Sequence, residues 1–323
     1  MHYLITGGAG FLGSHLTERL LRDGACVTVF DDLSTGRVAN LAAVATHPRL
    51  QVQVASVRSA RRVRAAVAGA DAVVHFAAAV GVDLVTKRPL RALLTNVEGS
   101  LNVLRAAADR GRPILLASSS ELYGSGADRP SREEDPVRLG PTAEPRWGYA
   151  AAKALDEWLA LAHAQETGLD VRVVRFFNVA GPRQRGRYGM VLPRFARRAL
   201  LGRPLRVHGD GTQTRCFCHV RDAIEAVIRL LANPAAAGAV VNVGSELEIS
   251  VRQLAERVSA MAGTAAPIRH VAARAEDVRR RVPDLRRLVE LTGFQPATGL
   301  EELVADTLED QRQRLARSVV RAR

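Results

Sequence analysis

The chain has 323 residues, 47% of them hydrophobic, with 46 lysines and arginines against 33 aspartates and glutamates and a formal net charge of +13. That length suits one large α/β domain or a domain with an appended lobe, and without a long apolar run a membrane span is set aside. Three cysteines are too few for a disulfide framework, and the charge is almost all arginine, spread along the chain rather than clustered, which sets nucleic acid aside as a partner.

A strand-like run, Tyr3–Ile5, opens the sequence, leaving no room for a signal peptide and pointing to a cytoplasmic protein. Gly7, Gly10 and Gly13 follow it and lead into a helical pattern over Phe11–Arg22. Such glycines serve a tight turn, close approach of backbone to a pyrophosphate and close helix packing, while the helix offers its unpaired N–H groups to phosphate. Asp31 ends the next strand, Val27–Phe30, where a carboxylate accepts hydrogen bonds from ribose hydroxyls and repels a 2′-phosphate, so NAD is favoured over NADP. A plain glycine-rich turn with a capping Asp is the bland alternative.

Strands at Val52–Val54, Ala72–His75, Pro113–Ala117 and Val171–Arg175 alternate with helices at Val63–Ala68, Arg91–Asp109 and Tyr149–Gln165. This alternation predicts an α/β fold with a doubly wound parallel sheet. His75 at a strand end reads as packing, as do Trp147 and Trp158. Ser118, Ser119 and Ser120 fall at the carboxyl edge of the fifth strand, where such sheets keep ligands. Tyr149 and Lys153, four apart, share one helix face, and an ammonium beside a phenol lowers its pKa from about 10 toward neutrality, as a base for an alcohol requires. Beyond Asn178 the pattern becomes short helices and strands with Pro and Gly punctuation, a smaller substrate lobe. A helix at His219–Leu231 and a strand at Val240–Val243 return to the main sheet. Cys216-Phe217-Cys218 has the wrong gap for a zinc knuckle, so no metal is expected.

These pieces make the chain resemble the extended short-chain dehydrogenase/reductase family, the NAD-dependent nucleotide-sugar epimerases, dehydratases and decarboxylases. The likeness covers nearly the whole chain through Gly7–Gly13, Asp31–Gly36, His75–Ala78, Asn96–Ser100, Ser118–Gly124, Tyr149 with Lys153, Arg175–Pro182 and Gly209–Phe217. It implies a Rossmann-like NAD-binding unit from residues 1–177 and 216–244, with a nucleotide-sugar lobe from 178–215 and 245–323. Cofactor contacts are implied for Gly7, Gly10, Phe11, Leu12, Asp31, Asp32, Ser34, Thr35, Gly36, Ser56, Val57, Phe76, Ala77, Ala78, Asn96, Tyr149 and Lys153. Substrate contacts are implied for Val80, Asn178, Val191, Leu192, Arg194, Val207, Arg215 and Arg274, and Tyr188 and Met190 precede a helix that covers the uracil ring. Ser119 would hydrogen-bond the sugar hydroxyl, Tyr149 take its proton and Lys153 also hold the nicotinamide ribose. A homodimer through the helices carrying Tyr149 and Arg91–Asp109 is also implied. Two departures are Ser56, where the family often has Asp, and Arg274-Ala-Glu-Asp277, where it often has Arg-Pro-Gly-Asp.

With the sugar's C4 oxidised, three outcomes are open: re-reduction from the other face, loss of water across C5–C6, or loss of CO₂ from C6. Dehydratases of the family resemble Thr-Asp-Glu at this point, and the proton-donating Asp is missing from Ser119-Ser120-Glu121. Simple 4-epimerases usually carry a small or apolar residue where Glu121 stands. Ser119-Ser120-Glu121-Leu122-Tyr123-Gly124 instead resembles the Thr-Ser-Glu-Val-Tyr-Gly of UDP-glucuronic acid decarboxylases, and Pro145–Tyr149 is similar to their run before the tyrosine. Glu121 would orient or distort the ring through repulsion and a held water. Arg215 matches the arginine those enzymes place near the carboxylate or diphosphate, with a structural ion pair as its bland alternative. The expected activity is therefore decarboxylation of UDP-glucuronate to UDP-xylose or a UDP-4-keto-pentose. A UDP-glucose/UDP-galactose-type 4-epimerase is the first alternative and a non-catalytic NAD-binding regulator the second.

Overall fold

The computed structural model describes residues 1–124, 129–186, 189–264, 266–273 and 278–320. Among them, β1 (His2–Thr6), β2 (Cys26–Asp31), β3 (Leu50–Val54), β4 (Ala72–His75), β5 (Ile114–Ser119), β6 (Val171–Phe176) and β7 (Val240–Val243) form one sheet in the order β7-β6-β5-β4-β1-β2-β3. Every pairing in it is parallel. A parallel sheet covered on both faces needs near-continuous apolar strands, and Ala72–His75 is buried at every position. Strand order reverses between β1 and β4, and the crevice beyond their carboxyl ends is where such sheets bind ligands.

Side-chain alternation along the strands feeds two separate cores. On one face Ile5, Val27 and Val29 pack with Leu16 and Leu20 of α1 (Phe11–Arg22) and with Val227 and Leu230 of a later helix, Val220–Ala232. On the other, Leu4 and Phe30 pack with Val63 and Val67 of α2 (Ala60–Ala68), Val103 and Leu104 of α3 (Pro89–Asp109) and Ala160 of α4 (Trp147–Thr167). A third core joins Leu192 and Phe195 of α5 (Val191–Leu200) to Leu205, Val207, Leu254, Val258, Leu303 and Leu308.

The elements match the expected ones closely, with shifted ends. Pro89 sits in the first turn of α3, where its missing N–H costs nothing, so the helix starts before Arg91. Helix α4 starts two residues before Tyr149. Trp147 is buried, but Trp158 is 61% exposed and packs into no core, because it lies on the outward face of α4. Cys26, at the start of an inner strand, is exposed too, while Cys216 and Cys218 are buried. No helix among the described residues is long and apolar enough to cross a membrane.

A buried arginine ties the sheet to α4. Arg175 of β6 donates from Nε and Nη2 to the two carboxylate oxygens of Glu157, at 2.9 and 2.7 Å, and from Nη1 to the Tyr123 hydroxyl at 2.9 Å. That hydroxyl donates in turn to Asn242 Oδ1 of β7 at 2.8 Å. Replacing only one member of a buried pair strands the other charge. Arg175→Leu is therefore expected to lower unfolding free energy by about 3–5 kcal/mol, read from urea denaturation.

Two histidines are held neutral inside the fold. Burial pushes His15 down to about 4 and His75 down to about 3, the latter helped by the Lys153 charge. A group depressed on folding contributes stability that is complete above its unfolded value, near 6.5, and is lost as pH falls toward the folded value. Urea stability is expected to decline between about pH 6.5 and 4, and a His15→Asn variant to show a shallower decline.

Candidate active site

A cleft of about 1050 Å³ runs from the glycine turn past the carboxyl ends of β1, β2, β4 and β5 to the lobe. Its floor is made by backbone that side chains would fill. Gly7 takes a left-handed φ of +71°, and a Cβ on Gly13 would lie 2.2 Å from the Gly7 carbonyl oxygen. Helix α1 follows the N-cap Gly10 without a side-chain cap and without an acidic residue in its first turn, and Phe11, Leu12 and Gly13 of that turn line the cleft. The N–H donors and positive end of such a helix start suit a dinucleotide diphosphate.

Of the expected cofactor residues, Gly7, Gly10, Phe11, Leu12, Asp31, Asp32, Ser34, Thr35, Val57, Phe76, Ala77, Ala78, Tyr149 and Lys153 line this cleft. Asp31 is anchored first to the protein: Oδ2 accepts from the Ala9 N–H at 3.0 Å and Oδ1 from the Leu33 N–H at 2.8 Å. Burial raises its pKa and the two backbone hydrogen bonds oppose that. Gly36, Ser56 and Asn96 do not line the cleft. A side chain on Gly36 would collide with the Asp31 carboxylate, so this glycine seats Asp31. Ser56 Oγ accepts from the Arg58 N–H, and Asn96 bonds both the N–H and the carbonyl of Ala79, fixing the loop after β4.

On the substrate side Val80, Asn178, Val191, Leu192, Arg194 and Arg215 line the cleft. Val207 does not: it is fully buried in the lobe core, and its neighbours Arg206 and His208 face the cleft instead, because successive strand residues point to opposite sides. Arg274 and Tyr188 lie outside the described residues.

Ser119, Ser120, Glu121, Tyr149 and Lys153 converge at the centre. Tyr149 packs on Ala79, Val85 and Ala92 and hydrogen-bonds Ser119, whose Oγ also accepts from the Glu121 N–H at 3.2 Å. Lys153 is 2% exposed, its Nζ donating to the Ala117 carbonyl at 2.9 Å and to Asp156 Oδ2 at 3.0 Å. The expected lowering of the Tyr149 pKa is corrected here. Burial pushes the phenol above its ordinary 10, Lys153 pulls it down, and the Glu121 and Asp156 charges push it up again. The ammonium acts as foreseen, but the cost of burying a phenolate exceeds its pull.

Glu121 does not stand alone either. Its Oε1 accepts from Arg281 Nη1 at 2.6 Å, Arg146 Nη2 lies 3.7 Å from Oε2, and the Arg215 charge also acts on it. Burial would raise the Glu121 pKa, but these guanidinium groups hold it below the ordinary carboxylate value. Arg215 donates from Nη1 to the Thr214 and Val278 carbonyls at 2.7 and 2.6 Å. The arginine in direct contact with Glu121 is thus Arg281, 4% exposed, which the sequence reading missed. It is the third of three consecutive arginines, Arg279 to Arg281, and no local pattern separates the buried one from its neighbours.

A family model described as the NAD dependent epimerase/dehydratase family matches residues 3–244. The chain belongs to that family. It is 37% identical over 314 residues to a UDP-N-acetyl-alpha-D-glucosaminuronate decarboxylase of Bacillus cytotoxicus, covering 95% of this chain and 96% of that protein. It is 35% identical over 312 residues to UDP-glucuronic acid decarboxylase 1 of Xenopus tropicalis, covering 97% and 72%. Among solved structures, a dTDP-glucose 4,6-dehydratase of Streptomyces venezuelae with NAD bound superposes with a TM-score of 0.90 at 32% identity, covering 98% of both chains. The chain is therefore an NAD-dependent enzyme of the epimerase/dehydratase family, and the glycine turn, the uncapped α1 and Asp31 are the residues that fit NAD.

A ligand that binds only the folded state stabilises it by about 2.7 kcal/mol at a hundred times its Kd. NAD⁺ is expected to raise the Tm, and NADP⁺ at the same concentration to leave it unchanged because its 2′-phosphate would meet Asp31.

Proposed function

We propose that this enzyme decarboxylates UDP-glucuronate through a 4-keto intermediate. The observation that carries the reading is the charge around Glu121: three arginines, Arg281, Arg146 and Arg215, act on one carboxylate beside Tyr149. Three guanidinium groups facing one carboxylate make a positive environment that suits a second carboxylate on the sugar.

Bound NAD supplies the hydride acceptor. Tyr149 takes the proton of the C4 hydroxyl, which Ser119 holds by hydrogen bond, and Lys153 faces the phenolate that develops. Once C4 is a ketone, the C6 carboxylate belongs to a β-keto acid. Its loss leaves an enolate delocalised into the new carbonyl, so no acid is needed for a leaving group. Glu121, clamped by Arg281, holds the ring side of the cluster. Arg146 and Arg215 meet the uronate or its diphosphate as fixed cations, since a guanidinium with pKa above about 12 is a poor proton donor.

The relative from Bacillus cytotoxicus supports a second reading, in which the sugar carries an N-acetyl group at C2. The chemistry at C4 and C6 is the same, and only the fit at C2 separates the two. Residues 1–177 with 216–244 form the NAD-binding unit of this proposal and the rest the sugar-nucleotide lobe, a division supported by the separate third core. The enzyme pairs as a homodimer through α3 and α4, whose outer faces expose Leu90, Leu93, Leu155 and Trp158. It works in the cytoplasm, where free cysteines such as the exposed Cys26 stay reduced.

Incubation with UDP-glucuronate is expected to release CO₂ and a UDP-pentose, resolved by mass spectrometry, with UDP-N-acetylglucosaminuronate run alongside. Tyr149→Phe should slow release at least about a hundredfold, and Arg281→Leu about a hundredfold. Interconversion of UDP-glucose and UDP-galactose without CO₂ would instead establish the epimerase.

A further inference from the structure

Asp156 is fully buried and has no part in the chemistry described so far, yet it bonds Lys153, the cation that lowers the Tyr149 pKa most. It lies on α4 three residues beyond Lys153 and seven beyond Tyr149, so all three side chains share a helix face. Its Oδ2 accepts from Lys153 Nζ at 3.0 Å, with neither side chain more than 2% exposed. We propose that Asp156 is a positioning residue of the reaction, holding the Lys153 ammonium in place and charged so that the Tyr149 oxygen always faces a cation. The inference rests on Tyr149 being the base of the proposed function, but not on which sugar is turned over.

The surroundings leave no substitute for this carboxylate. The other fixed partner of Nζ is the neutral carbonyl of Ala117 on β5. On α4 itself Glu157 also bears on Lys153, but both of its oxygens are taken by Arg175 of β6. From β4 comes His75, fully buried and neutral, bonded to Thr6 at 2.6 Å and Ser100 at 3.1 Å. From α3 comes the uncharged Ser100, whose hydroxyl lies beside Asp156. Glu121, after β5, acts on Tyr149 but is held by Arg281. Burial pulls the Lys153 pKa down, and the charge and hydrogen bond of Asp156, the largest opposing contribution, together with Tyr149 and Glu157 hold it above its ordinary value.

The carboxylate has two opposed effects on Tyr149. Its own negative charge disfavours the phenolate across two helical turns, while the lysine charge it secures favours the phenolate at one turn. The nearer charge dominates, provided that it exists. A fully buried lysine without a counter-charge falls by up to about 3–5 pH units, into the working range. Removing the Asp156 charge is therefore expected to cost Tyr149 its cation.

The test is the titration of Tyr149 in the NAD-loaded enzyme without sugar, read as tyrosinate absorbance after subtracting the Tyr149→Phe variant. In Asp156→Asn and in Asp156→Ser the midpoint is expected to move at least about one pH unit to the alkaline side. In a Lys153→Arg background, where the cation cannot be lost, Asp156→Asn should move the midpoint the other way. An unchanged or acid-shifted midpoint with Lys153 present would overturn the proposal, as would failure of both single variants to fold, which would assign Asp156 to stability alone. Because the readout needs no turnover, it stands apart from whether UDP-glucuronate yields CO₂.

Discussion

Everything at the centre of this enzyme depends on where one buried ammonium is allowed to sit. Lys153 reaches from α4 to the Ala117 carbonyl at the end of β5, so the same group that serves the chemistry also clamps the helix to the sheet edge. A buried cation of this kind has to be paired, and Asp156 pairs with it at 3.0 Å. Tyr149, one turn back, inherits that position. Glu157, the residue after Asp156 on the helix, is paired with Arg175 of β6 and ties α4 to the sheet a second time. The catalytic geometry is thus supported by two buried ion pairs on one helix.

Around that centre the cleft is organised by charge. The cofactor end offers uncapped N–H groups and a carboxylate, which together suit a diphosphate flanked by a ribose. The sugar end offers a carboxylate surrounded by arginines. Fixed positive charge at that end is what the proposed function uses to favour an acidic sugar over a neutral one. The fold supplies the platform common to epimerases, dehydratases and decarboxylases, and under the proposed function this side-chain cluster selects among their outcomes.

Much of this was legible in the chain. The glycine spacing, the buried β-branched runs, the Ser-Ser-Glu segment and the Tyr149–Lys153 pair are local patterns, each set by steric or helical periodicity within a few residues. Their failures are equally local in origin. Val207 was taken for a cleft residue and its neighbours were not, because a strand residue's side is fixed by pairing partners that lie elsewhere in the chain. Trp158, expected to pack beside the catalytic turn, is exposed instead, because helical spacing tells which residues share a face but not which face turns outward.

The sequence by itself determined the local chemistry: a dinucleotide turn, a phenol and an ammonium one helical turn apart, and a carboxylate one residue past the serines. These follow from backbone geometry that short segments impose on themselves. Only the tertiary structure decided the electrostatics. Arg281 reaches Glu121 across 160 residues of sequence, and the Tyr149 pKa is set by burial and by charges on several elements. Coulombic and desolvation energies depend on distance and dielectric in three dimensions, and neither quantity exists until the chain has folded.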